Sequence, residues 1–467
     1  MANQDNVTHV LDRLTFGLGP GDLQRVERGG VDAFIRAQLA PENISLPGQL
    51  SRQLRSLPAL TLSPVSLYER YANKPDTPND QKKTLGQARS QLIRDTQQSR
   101  LLRALVSPRQ LQEVMVDFWF NHFNVFANKG NTALWVGAYE EKAIRPHALG
   151  KFRDILVATA KHPAMLYYLD NWRNTDPGST AAKGPFKGLN ENYARELLEL
   201  HTMSVNGGYS QVDVESLTRI LTGWGIISRH ENSENESGFV FASERHDWQR
   251  KTFLGETIDA GGVTEGEIAL EMLARHPATA KHISYKLAQH FVTDTPSEEL
   301  VNTLSEQFLA TDGDISAVLL RLFKSDDFWQ LEHTQNKFRT PYQYVLAIGR
   351  AIGLGRPGGA SPALPAKQVL QRLVGAMDQL GMPPHRCRTP DGYAQVASAW
   401  LSPDAILARV SMAVRMANLG QGSQPTPEAL LAALGDRIPA RTQSVLGEVP
   451  PGQRAEVILG SPEMMYR

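Results

Sequence analysis

The chain has 467 residues, enough for two or three ordinary domains or one large helical body, and is 41% hydrophobic and 21% charged. Its 49 basic and 49 acidic residues cancel, which argues against a nucleic acid or an anionic membrane held by bulk charge. Cys387 is the only cysteine, so an internal disulfide and a thiol-rich metal site are excluded.

No apolar run approaches the roughly 20 residues that span a bilayer. The opening MANQDNVTHVLDRL lacks a basic region followed by an apolar one. The expectation is a soluble protein in the cytoplasm. The alternative is a periplasmic or secreted one, exported with a partner or with a leader that the given sequence lacks.

Taken in order, 7–16, 22–28 and 31–39 pattern as helices separated by Gly-rich breaks. Residues 41–64 read as a Pro/Ser/Leu-rich loop. Residues 65–106 are helical apart from a break at 74–80, and 81–100 are polar enough to be exposed on most sides or to carry a contact surface. Ser107-Pro108 caps the next helix with Pro108 at its first position. That helix is apolar nearly all round, which places it in the core. Asp117 and Asn121 are i,i+4 on it and His122 lies on an adjacent face, so each polar group there requires a partner. Helices follow over 131–144, 152–160 and 165–169, and then a long loop over 173–188.

The stretch 190–224, NENYARELLELHTMSVNGGYSQVDVESLTRILTGW, is the densest group of ionisable residues. Asn190 suits an N-cap, and Glu191 suits the positive helix end. At about 100° per residue, Tyr193, Leu197, Leu198 and His201 share one sector, with Glu191, Asn192, Arg195, Glu196 and Glu199 opposite. Arg195 stands four residues from both Glu191 and Glu199 and can bridge them. His201 and Glu199 are two apart, which excludes joint chelation from a regular helix, and neither HExxH nor ExxH is present. His201 therefore reads first as a core histidine. Asn206-Gly207-Gly208 ends the helix, a second covers 213–221, and Thr222-Gly223-Trp224-Gly225 stops it.

Residues 226–228 and 238–242 alternate as a short hairpin around an acidic loop at 229–237, and ERHDWQRKTFLG brings His246, Asp247 and Lys251. The second half is helical over 266–275, 277–292, 297–310, 315–324, 341–352 and 366–381, with a long helix over 400–419 and three shorter ones after it. His276, His282 and His290 share no tight face and read as scattered helical histidines. A Gly/Pro-rich linker at 353–365 divides a main region, 1–353, from a C-terminal region, 366–467, packed on it as one unit. The fold class is mainly α: a large multi-helix orthogonal bundle with at most a small β-hairpin near 226–254.

No GxSxG elbow, Walker loop, HExxH or paired CxxC occurs. What remains is a constellation from three segments: His122; Glu196, Glu199 and His201; and His246, Asp247 and Lys251. Such a set suits a divalent ion or acid–base work. Arg195, Arg219 and Lys251 suit an anionic group. The plain alternative is a buried polar network that fixes packing.

The 190–224 stretch, VDFWFNHFNV, the RHD…K…LG segment, HPATAKHISYKLAQHFV and DGYAQVASAWLSPDAILAR together resemble the bacterial family known as domain of unknown function 1800 (DUF1800). The resemblance covers nearly the whole chain. It implies a large helical bacterial protein, often exported and often encoded beside a second protein of DUF1501 type. Its motif residues fall here on His122, Asn190, Glu191, Asn192, Tyr193, Arg195, Glu196, Glu199, His201, Gly208, Tyr209, Gly223, Trp224, His246, Asp247 and Lys251. Two positions depart from that pattern. Phe120 stands where a second histidine is common, and Ser204 where glycine is usual.

The expected function is an enzyme using metal-assisted hydrolytic or oxidative chemistry. Glu196, Glu199, His246, Asp247 and Lys251 would be catalytic, and Arg195, Tyr209, Arg219 and Trp224 would bind substrate. His122, Glu196 and His246 would hold a divalent metal, and Asn190, Glu191, Asn192 and His201 would be structural. The alternatives are a non-catalytic partner or scaffold for the DUF1501-type neighbour, and a carbohydrate- or peptide-binding module with Trp119, Trp172, Trp224 and Trp248 as platforms.

Overall fold

The first helix, α1 (Gln4–Leu14), shows why the chain folds as it does. Val7, Val10, Leu11 and Leu14 recur at helical spacing and are all fully buried. A computed structural model describes residues 4–74, 77–228, 236–355, 364–419 and 425–467. The chain is mainly helical, as its periodicity predicts, with two small antiparallel hairpins. Most of the expected loop at 229–237 and of the linker at 353–365 lies outside the described residues.

α2 (Asn79–Val106) departs from its expectation of exposure on most sides. Its first half is exposed, but from Leu92 onward it buries Thr96, Arg100, Leu101, Arg103 and Leu105. The charges enter the interior with partners: Arg100 meets Asp117 at 2.5 Å and Glu140 at 3.3 Å, and Arg103 meets Glu141 at 2.7 Å. α3 (Gln110–His122) is the expected core helix, and Trp119 donates its indole N–H to the Ala148 carbonyl at 2.9 Å. It begins two residues past Pro108, and Ser107 Oγ accepts the Arg109 N–H instead.

The central stretch folds as α4 (Asn192–Glu196), which runs without a break into a π turn, Leu197–His201. A capping box between Ser210 and Asp213 starts α5 (Gln211–Ile220). β1 (Trp224–Ile226) pairs with β2 (Phe239–Phe241), Trp224 opposite Phe241, which is the expected hairpin. β3 (Lys251–Phe253) pairs with β4 (Glu256–Ile258) through a two-residue turn in which Leu254 and Gly255 both take positive φ, the geometry that suits strand twist. α6 (Val263–Arg275) and α7 (Pro277–Phe291) follow, and His276 Nδ1 accepts the Ala278 N–H to cap α7.

The remaining elements that matter are α8 (Pro341–Ala351), α9 (Lys367–Gln379), α10 (Pro403–Ala417), α11 (Ala440–Glu448) and α12 (Arg454–Gly460). The chain's last residues return to its start. Arg467 exchanges two backbone hydrogen bonds with Lys337, and Asp12 on α1 pairs with both Arg339 and Arg437.

Candidate functional site

The residues expected to converge fall instead into two groups. The first forms around the π turn. The wider turn leaves carbonyls at its C-terminal end without helical donors. His122 Nε2, from the end of α3, donates to the His201 carbonyl at 3.0 Å, and His282 Nε2, from α7, points at the Leu200 carbonyl at 3.4 Å. Thr202 Oγ1 donates to the Leu197 carbonyl at 2.7 Å.

Those contacts fix the state of the imidazole. A His122 ring that donates from Nε2 and is neutral presents a lone pair at Nδ1. Lys286 Nζ, one turn beyond His282 on α7, stands 2.9 Å from that atom. Burial, then the Lys286 charge, holds His122 well below the usual histidine range. Burial and the same charge lower His201 to about 3 and His282 to about 4. Lys286 is itself half-buried, and burial lowers its amine to about 8 while the Asp391 carboxylate opposes the fall. Among the described residues no carboxylate lies within ion-pair distance of Lys286.

Glu196, the last residue of α4, is half-buried. Burial, then the charges of Glu199 and Asp391, raises its carboxyl above the ordinary value. Asp391 therefore acts on both Lys286 and Glu196. Glu199 is engaged with Arg195 at 3.4 Å, and burial followed by the Glu199 charge and hydrogen bond raises the Tyr209 phenol.

The second group is sealed. His246 Nε2 meets Glu265 Oε1 at 2.8 Å, and its Nδ1 meets the Thr222 carbonyl at 2.8 Å. Lys251 Nζ donates to Glu265 Oε2 at 2.7 Å and to the Asp247 carbonyl. Glu265 Oε1 also accepts the N–H groups of Gly261 and Gly262, so Glu265, in the first turn of α6, caps the start of that helix. Asp247 takes Arg219 at 2.9 Å and the Gln249 N–H at 2.9 Å. Burial alone would raise both carboxyls, but Lys251 and backbone N–H groups hold Glu265 below the ordinary value, and the Gln249 N–H with Arg219 does the same for Asp247. His246, Asp247, Lys251 and Glu265 are all buried.

This geometry brings some of the expected site residues together and leaves others apart. His246, Asp247 and Lys251 are spent on tying β1, β3 and α6 together. Their donors and acceptors face one another rather than a cleft. The proposed metal set of His122, Glu196 and His246 is divided between the groups, and among the described residues no three His, Cys, Asp or Glu side chains are arranged to hold an ion. Arg195 is occupied by Glu191 at 3.0 Å, Glu199 and Gln211, as its i,i+4 spacing anticipates, and Arg219 by Asp247. Trp224 lies fully buried beneath Gly266, and Trp119 is fully buried in the core, so neither is a platform for a ligand. Asn190 caps the Asn192 N–H, and Asn192 donates to the Leu169 carbonyl, a structural use for both.

A family model described as "Protein of unknown function (DUF1800)" matches residues 9–466. The chain belongs to the DUF1800 family. No curated protein and no solved structure matches it. The two departures from the DUF1800 pattern are legible in the structure. Ser204 sits at φ 71°, in the left-handed region where glycine is at ease, which accounts for glycine there. Phe120 packs edge-on against His385 at 4.7 Å, with the Arg100 guanidinium 4.9 Å from its ring, so position 120 looks away from His122.

Sequence reasoning missed Lys286, Asp391 and Glu265 and dismissed His282. For His282 and Lys286 a signal existed: they are four apart and so share a face of α7. Glu265 stands three residues past Gly262, the spacing of a capping box. Asp391, a loop residue more than a hundred positions away, begins the DGYAQVASAWLSPDAILAR segment, but nothing in its spacing ties it to Lys286.

Proposed function

We propose that this chain is a hydrolytic enzyme working by general acid–base catalysis at the π turn. Glu196 acts as the base that activates water. Lys286 acts as the acid, donating a proton to the leaving group. The observation that supports this is the Lys286 amine, half-buried, with no carboxylate within ion-pair distance among the described residues and oriented by the His122 Nδ1 lone pair at 2.9 Å. An ammonium lowered to about 8 gives up its proton far more readily than an ordinary lysine, and a raised carboxyl is a stronger base than an ordinary one. The required forms, carboxylate and ammonium, coexist between the Glu196 value and about 8.

The test is a panel of ester, amide, glycoside and phosphoester substrates. The expected turnover is bell-shaped in pH, with its alkaline limb near 8, and falls by about 10²-fold or more in Lys286→Met and in Glu196→Gln. Turnover that survives Lys286→Met in a folded protein overturns the assignment. So does a Lys286 amine found, by pH-dependent acylation and mass spectrometry, to titrate at the ordinary lysine value.

A further inference from the structure

The outer face of α10 is apolar where a surface helix should be polar. Leu407, Val410 and Val414 recur at i, i+3 and i+7 and are 67%, 40% and 39% exposed, with Val445 of α11 at 49% beside them. A groove runs along each side of this ridge. One, of about 560 Å³, lies between α9 and α10; the other, of about 570 Å³, lies between α10 and the α11–α12 pair, and Val414 borders both. Contiguous apolar surface of this kind, rimmed by polar groups, marks an interaction site.

The charge of the rim says what covers it. In a chain whose charges balance, the two grooves are lined by Arg372, Arg415 and Arg441, and by a single carboxylate, Glu456. Arg441 already has Glu463 at 3.2 Å, whereas the Arg415 guanidinium meets only the Met412 sulfur, and no carboxylate pairs with Arg372 among the described residues. A second copy packed face to face would set Arg372 and Arg415 against the same residues of its mate. We propose that this surface docks an acidic amphipathic helix of a partner protein, its apolar side seated along Leu407–Val414 and its carboxylates on Arg372 and Arg415. The ridge and groove geometry is that of a helix laid in an apolar trough. The ridge from Leu407 to Val414 is about 10 Å long, two turns of a partner helix. This reading is independent of the acid–base site, which lies on other elements.

The experiment titrates the full chain into two fluorescein-labelled helical peptides. Both carry leucine on one face; one has glutamate on the flanks and the other lysine. Fluorescence anisotropy at low salt should show the glutamate peptide bound and the lysine peptide at least tenfold weaker. Val414→Asp, and separately the pair Arg372→Glu with Arg415→Glu, should each weaken the glutamate peptide at least tenfold. These positions are on the surface, so each variant should melt as the parent does; if Val414→Asp unfolds, the arginine pair decides. Equal binding of the two peptides, binding of neither, or binding unchanged in the variants overturns the proposal. A dimer of the unliganded chain that Val414→Asp dissociates also overturns it and assigns the face to a second copy.

Discussion

Lys286 is held where an ordinary lysine would not stay. Its amine is lowered to about 8 because burial disfavours the ammonium and only the Asp391 charge opposes it. The unfolded chain holds that proton up to about 10.4. Between the two values the folded state binds fewer protons than the unfolded state, so stability rises with pH across that window. The penalty is fully present below about pH 8 and vanishes above the unfolded value. Lys286→Met should therefore stabilise the protein at pH 7, by on the order of 1 kcal/mol once partial exposure is allowed for. Urea melts of both proteins at pH 7 and pH 10.5 check this: the advantage of the variant should shrink at the higher pH. A variant less stable than the parent at pH 7 would make Lys286 a structural hydrogen-bond donor to His122 and nothing more. A residue that destabilises its own fold is the sort that selection for activity retains. The sequence showed Glu196 because it lies amid an unusual density of charge and His122 because it is a polar exception on an apolar helix, but the Lys286 amine arrives from a helix more than sixty residues beyond them.

At the level of elements, the 190–224 stretch was legible in its parts and not in its join. The Arg195 bridge, the Gly207-Gly208 stop and the Gly223-Trp224-Gly225 turn all follow from spacing and from glycine. The π turn does not, because its wider winding depends on His122 and His282 supplying donors from other helices. The His246 segment is the reverse case. A histidine, an aspartate and a lysine within six residues read as chemistry, yet Glu265 at the start of α6 completes them as a closed network. Removing that carboxylate strands Lys251, His246 and two backbone N–H groups in the interior. Glu265→Ala should cost about 3–5 kcal/mol, read as a lower guanidinium midpoint with an unchanged slope. Because the folded carboxyl is depressed, its contribution is present above the unfolded value of about 4.3 and is lost as pH falls through the folded one. The gap between parent and variant should therefore close below about pH 4. A cost below about 1 kcal/mol at pH 7 would mean that the network is wet and its geometry replaceable.

On the scale of the whole molecule, periodicity delivered the helical class and most of the helices, since apolar stripes are local. What joins the ends is not local. Asp12 on the first helix meets Arg339 at 2.7 Å and also Arg437, and Arg467 pairs with Lys337 through the backbone. Arg339 and Arg437 are buried, and burial drives both down to about 9 despite such partners. Nothing in the spacing of an aspartate at 12 and arginines at 339 and 437 foretells this. If these contacts bind the 366–467 region to the body, the protein unfolds as one unit although its length would permit two. Asp12→Ala then leaves two buried guanidinium groups without their shared carboxylate, and should cost about 3–5 kcal/mol. Calorimetry should show a single transition in both proteins, displaced to lower temperature as a whole in the variant. Two transitions, of which Asp12→Ala lowers only one, would instead make the C-terminal region a separate domain that merely rests on the first helix.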